Sequence, residues 1–203
     1  METSSMSRRE RKKQETKANI LRAARHLFEE KGFDSTSIEE ITGRADVAKG
    51  TFFNYFTSKD SLMTGISEEE VEDILYYAEE ELGAIEGSVC KVKLVLGRLL
   101  EDAIPYLHLT GRLMFSSIIN VSEYPSPFFK INKLLEKLVE EGQAKGELTS
   151  AFSAEDMATA ILGSYYGVIF RWFELGGAPG TVKELERSLD ILFKGISGTT
   201  KSE

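Results

Sequence analysis

Two histidines, one cysteine and several glutamate clusters are the residues of this 203-residue chain that could carry catalytic or metal chemistry. His26 falls on an amphipathic helical stretch and His108 follows Pro105, and neither stands beside a nucleophile motif. The sequence has no P-loop, dinucleotide fingerprint, nucleophile elbow or HExxH pattern. A lone Cys90 excludes an internal disulfide and a multi-cysteine zinc site, and it reads as a small helix residue. The acidic runs Glu68–Glu72 and Glu79–Glu81 read as solvated helix faces. The enzyme reading is therefore weak, and no cofactor or metal is expected. Lys49, Gly50, Thr51, Asn54 and Tyr55 offer a different chemistry. They form a small, hydrogen-bonding face on a stretch without an acidic residue between Ala48 and Thr57. Such a face suits a DNA major groove about 12 Å wide, where the Asn54 amide can pair with adenine.

The elements around these residues all read as helices. Apolar residues recur at helical spacing, with no sustained period-two alternation. Residues 1–16 read as a flexible basic arm. Ile20, Ala24, Leu27 and Phe28 form one face of a helix that stops at Gly32. Ser37-Ile38-Glu39-Glu40 has the pattern of a capping box and opens a short helix ending near Gly43. Ala45-Asp46-Val47 is a tight connection, and Ala48–Tyr55 forms a second short helix, after which Lys59 begins a long one. Two short helices on a longer first helix are a helix-turn-helix arrangement. Further helices follow over Val89–Ala103, Met114–Ile119, Pro127–Val139, Ser153–Leu175 and Thr181–Ile196, with a second capping box expected at Thr181–Glu184. The fold class is all-α, with about nine helices.

The spacings in residues 17–63 resemble the DNA-binding domain of TetR/AcrR family transcriptional regulators. The shared pattern runs through Ile20-Leu21-x-Ala23-Ala24-x-x-Leu27-Phe28 and Gly32-Phe33-x-x-Thr36-Ser37-Ile38-x-x-Ile41. It ends in Ala45-x-Val47-x-Lys49-Gly50-Thr51-Phe52-Phe53-x-Tyr55-Phe56-x-Ser58-Lys59-x-x-Leu62. The resemblance implies a three-helix DNA-binding domain over 17–63 and a larger helical ligand-binding and dimerisation domain over 64–203. It places Lys49, Gly50, Thr51, Phe53, Asn54 and Tyr55 on the recognition helix, and Ser37 and Lys59 at phosphate-contacting positions. Phe53 stands where the family more often has tyrosine. The implied partners are a double-stranded DNA operator, a small-molecule effector and a second copy of the chain, docked through helices near 153–175 and 181–197. The resemblance also implies an effector pocket in the C-terminal domain. Its candidate lining residues are Tyr77, Leu99, Ile104, Met114, Phe115, Ile118, Phe128, Tyr166 and Ile169, any one of which could equally be ordinary core.

Charge bears on the same division. The formal net charge of −8 argues, taken whole, against a nucleic-acid binder. Yet residues 1–63 carry 12 Lys/Arg and 10 Asp/Glu, whereas residues 64–203 carry 13 and 23. A near-neutral head and an acidic body favour one orientation on phosphate. The basic run from Arg8 to Lys17 suits either phosphate tracking or simple solvation. No apolar run approaches the roughly 18 residues of a membrane span, and no apolar core follows the basic start as in a secretory signal. A cytoplasmic, homodimeric, ligand-responsive repressor is the expectation. A helical adaptor with no DNA role is the alternative that alanine substitutions at Lys49, Thr51 and Lys59 would separate from it.

Overall fold

The computed structural model describes residues 7–104, 127–176 and 179–195. Among these residues every regular element is helical: α1 (Arg8–Lys31), α2 (Ile38–Arg44), α3 (Lys49–Phe53), α4 (Lys59–Glu80), a 3₁₀ turn (Leu82–Ala84), α5 (Ser88–Ala103), α6 (Pro127–Ala144), α7 (Ala154–Glu174) and α8 (Thr181–Lys194). The chain divides within α4 into two compact units, residues 1–67 and 68–203. The helix expected over Met114–Ile119 lies outside the described residues.

In the first unit α1 begins earlier than apolar spacing suggests. Residues 8–16, expected as part of a flexible arm, are its first turns. Ser7 caps them: its hydroxyl accepts from Glu10 N–H at 3.2 Å, and the Glu10 carboxylate accepts from Ser7 N–H at 2.9 Å. A polar stretch shows no hydrophobic period, but the reciprocal cap starts the helix all the same. Further along, Ile20, Leu21, Ala24, Leu27 and Phe28 are buried with Ile41, Phe52, Phe56, Leu62 and Ile66. Gly65 permits the close approach of α4 to α1, because a Cβ there would meet Leu21 Cδ2 at 3.0 Å and Phe56 Cε1 at 3.1 Å. The buried Thr36 hydroxyl donates to Gly32 O at 2.8 Å, and Arg44 clasps Glu30 of α1 through two bonds of 2.8 and 2.7 Å. These ties set α2 against α1.

The second unit buries one apolar core. Its α7 packs against α6 and α8, and α5 packs against the same two helices. Ile74, Val92, Leu96, Leu100, Ile131, Leu135, Ile161, Tyr165 and Leu189 are among its buried residues. The start of α5 is satisfied from afar: Ser88 N–H donates to Glu147 Oε2 at 2.6 Å. At the other end of the chain, the expected capping box at Thr181–Glu184 does not form. Gly180, at φ 93°, occupies the N-cap, Thr181 is the first helical residue, and Glu184 instead pairs with Arg171 Nε of α7 at 2.6 Å. Glycine reaches that left-handed conformation without steric penalty, which moves the cap one residue back.

Candidate nucleic-acid interface

Three segments carry the eight residues that sequence reasoning assigns to DNA. Ser37 is the N-cap of α2 and is locked by Glu40. The Ser37 hydroxyl accepts from Glu40 N–H at 3.2 Å, while the Glu40 carboxylate accepts from Ser37 N–H at 2.9 Å and from its hydroxyl at 2.8 Å. Lys31 also pairs with that carboxylate. The Lys31 hydrogen bond, then the bonds from Ser37, hold the Glu40 carboxyl down to about 2, against an ordinary 4.5.

That depressed value gives a pH prediction with a definite sign. A carboxyl lowered by folding contributes stability above its unfolded value and loses it as pH falls towards its folded value. The melting temperature of the native chain should therefore exceed that of Glu40→Gln at pH 7, and the gap should close between about pH 4.5 and about pH 2. Calorimetric melts of both proteins across that range check it. A gap of constant size down to pH 2 would remove Glu40 from this role.

The turn into α3 is tight. Ala45 N–H reaches Ile41 O at 2.9 Å, Val47 N–H reaches Thr42 O at 3.0 Å, and Asp46 takes φ 53°. Aspartate tolerates that left-handed conformation better than most residues. The α3 helix itself is Lys49–Phe53, shorter than the expected Ala48–Tyr55. Bonds of the 3₁₀ type, Asn54 N–H to Thr51 O and Tyr55 N–H to Phe52 O, wind it up early, so Asn54 is its C-cap and Tyr55 lies in the following turn. Lys49, Gly50, Phe53 and Asn54 are exposed, Thr51 and Tyr55 half-buried, and Phe52 wholly buried. One side of α3 thus anchors the helix while the other carries polar and small groups to solvent.

Lys59 behaves differently from the others. Its ammonium turns inward, donating to Phe33 O at 2.6 Å and Thr36 O at 2.8 Å, and sits 4.2 Å from the centre of the Phe33 ring. It clamps the loop that precedes Ser37. Sequence reasoning passed over Glu39, whose carboxylate pairs with the Lys49 ammonium. No helical period links positions 39 and 49, because their approach depends on the turn between α2 and α3. Of the histidines, His26 is exposed, with Nδ1 4.0 Å from Glu29 Oε2, and His108 lies outside the described residues.

The candidate effector residues fall in the second unit. Leu99 and Ile169 are buried core, Tyr77, Phe128 and Tyr166 pack against that core, and Ile104 is 41% exposed. Met114, Phe115 and Ile118 lie outside the described residues. Phe128 and Tyr166 meet with ring centres 5.7 Å apart, and Tyr165 completes the cluster. Two cavities are lined by described residues. One, of about 550 Å³, includes Leu148, Phe152, Met157 and Phe193; the other, of about 570 Å³, includes Leu75, Leu82, Lys133 and Leu138. None of the six described candidates lines either. Burial pushes the Tyr166 hydroxyl up to about 12 and raises Tyr165 further.

Tyr165 Oη, fully buried, has no hydrogen-bond partner among the described residues. An unsatisfied buried hydroxyl is unfavourable by roughly 1–3 kcal/mol. Tyr165→Phe is accordingly expected to stabilise the chain by about 1 kcal/mol in denaturant titration. A loss of stability would mean that the hydroxyl is satisfied.

One surface of this unit is unusually apolar. Ala160, Gly163, Gly167 and Phe170 share an exposed face of α7, with Phe170 53% exposed, and Ile191 on α8 is 55% exposed. A Cβ at Gly163 or Gly167 would meet nothing within 4 Å. No helix of the described residues is long and apolar enough to cross a membrane.

Residues 20–66 match the family model described as bacterial regulatory proteins, tetR family. Over 201 residues the chain is 28% identical to the uncharacterized HTH-type transcriptional regulator YdeS of Bacillus subtilis (strain 168), covering 91% of each protein. It is 25% identical over 159 residues to the HTH-type transcriptional regulator UidR of Escherichia coli (strain K12), covering 77% of this chain and 81% of UidR. Its fold is shared with Thermus thermophilus FadR, a TetR family transcriptional repressor solved in complex with lauroyl-CoA, at a TM-score of 0.68 and 22% identity, covering 92% of this chain and 98% of that one. These relatives are named as transcriptional regulators, and residues 20–66 of this chain are similar to the tetR family of bacterial regulatory proteins.

Proposed function

We propose that the protein is a homodimeric repressor that binds a palindromic operator and is released by a small apolar or amphipathic effector. In this reading residues 17–63 bind DNA and residues 64–203 hold the effector and the partner copy. The observation that carries it is the outward face of α3. Lys49, Gly50, Thr51 and Asn54 stand in solvent or at its edge on a helix anchored from behind by Phe52. Thr51 and Asn54 supply hydrogen bonds to base edges, and Lys49 meets phosphate. Ser37 presents the start of α2 to the backbone. Lys59 acts by holding the Phe33–Thr36 loop, so its effect on phosphate contact passes through Ser37.

The apolar face of α7 and α8 supports the dimer. Glycine inside a helix is unfavourable by about 1 kcal/mol relative to alanine, and no described residue of the protomer comes within 4 Å of a Cβ at 163 or 167. Close approach of a second copy's helices accounts for both. Two copies double the contacts of a small DNA-binding unit on a twofold site. Effector binding would change the separation of the two DNA-binding units, so that both recognition helices no longer fit adjacent grooves.

Gel-shift titration with the DNA flanking its own gene tests the proposal. A specific complex is expected, lost with Lys49→Ala/Thr51→Ala and weakened by saturating effector from a screen of apolar and amphipathic compounds. Operator affinity that survives the double substitution would sink the DNA assignment, and affinity indifferent to every compound would sink the effector one.

A further inference from the structure

The first turn of α2 carries two carboxylates with different tasks. Glu40 is committed to the helix cap and to Lys31. Glu39 has no part in the cap. Its carboxylate reaches across the turn to the Lys49 ammonium at the head of α3. The two side chains are 64% and 55% exposed, so their pairing contributes little to folding. No acidic residue lies between Ala48 and Thr57, and this carboxylate is nonetheless delivered to the lysine that opens α3.

We infer that Glu39 is a selectivity residue, which holds Lys49 back from phosphate and thereby suppresses binding to DNA of the wrong sequence. The inference rests on the assignment of α3 to DNA. On a random duplex, a phosphate must compete with Glu39 for the Lys49 ammonium, and the carboxylate faces a polyanion whether or not the pair opens. Both effects weaken the sequence-independent part of binding, which is electrostatic. On the operator, Thr51 and Asn54 add contacts that random sequence does not provide, and a carboxylate can accept a hydrogen bond from a cytosine amino group in the major groove. The penalty therefore falls more heavily on random DNA than on the operator. Glu39 is accordingly a positioning residue for Lys49 and sets the ratio of specific to non-specific affinity.

The test compares the full-length protein with Glu39→Gln, which keeps the shape and removes the charge. Each is titrated with a random-sequence 30-base-pair duplex and with an operator selected in vitro, over a range of KCl concentrations. Glu39→Gln should bind the random duplex about three- to tenfold more tightly, and its dependence of log Kd on log salt should steepen by about one phosphate contact per subunit. Operator affinity should change less, so discrimination falls. Glu39→Gln/Lys49→Ala should lose the gain, which shows that it passes through Lys49. Random-duplex affinity and salt slope equal to the wild type would overturn the inference while leaving the DNA assignment intact. A wild-type chain that binds neither duplex would overturn both. Melting temperatures within about 2 °C of each other confirm that folding is not being read.

Discussion

Gly167→Trp is expected to leave the chain monomeric and to lower its operator affinity by at least about 100-fold, or roughly 2.7 kcal/mol. The reasoning starts from what a single protomer can accommodate. Gly167 lies on the exposed side of α7, and a Cβ built there has no neighbour within 4 Å. A side chain at 167 therefore starts into open space among the described residues, and loss of glycine from a helix interior even favours the helix. In a dimer packed through this face the indole would instead occupy the partner's volume. Phe170, one turn on and more than half exposed, would lose its cover. Light scattering at micromolar concentration and gel shifts on the same samples check both parts. A variant that stays dimeric would move the interface away from α7. Gly167→Ala sets the scale of the effect, since a single methyl should weaken the dimer far less than an indole.

Local signals in the sequence were legible where one element decides the outcome. The Ser37-x-x-Glu40 pattern reads as a capping box and is one, because donor and acceptor lie within a single helical turn. The burial of Ile20, Ala24, Leu27 and Phe28 follows from their spacing alone. Patterns failed where a neighbour competes. Thr181-x-x-Glu184 has the same form, but Gly180 takes the cap in a left-handed conformation and Arg171 on α7 claims the glutamate. Ser7-x-x-Glu10 was hidden for the opposite reason, since no apolar period follows it to mark a helix. The candidate site shows the same limit. Residue types and spacing identify the exposed face of α3. They do not reveal that Lys59 turns inward to two carbonyl oxygens or that Glu39 meets Lys49. Those contacts are made between elements, and the second spans the turn in which Asp46 takes φ 53°.

Neighbouring positions of α3 should separate folding from recognition. Phe52 is fully buried, with its ring 5.3 Å from Phe53 and 5.8 Å from Phe56. Truncating it to alanine removes most of a core aromatic and leaves a cavity, so Phe52→Ala should destabilise the first unit by about 3–5 kcal/mol. That loss is a large share of what a small unit possesses, and DNA binding should vanish because the unit no longer folds. Asn54 lies two residues on, exposed at the C-cap. Asn54→Ala should change stability by no more than about 0.5 kcal/mol. It should still weaken operator binding by about 1–3 kcal/mol if the amide reads a base, and relax preference at one base pair. Lys49→Ala belongs to a third class: it should weaken binding to the operator and its single-base variants alike and lower the operator salt slope by about one contact. It should change random-duplex affinity little, because Glu39 already restrains Lys49 there. Chemical denaturation, followed by binding to the operator and to single-base variants of it, distinguishes the three. If Asn54→Ala weakened operator and random DNA equally, Asn54 would be a backbone contact, and base reading would fall to Thr51 and Tyr55. That outcome is physically accessible, because α3 ends at Phe53 and leaves the Asn54 amide at the rim of the helix rather than on its central face.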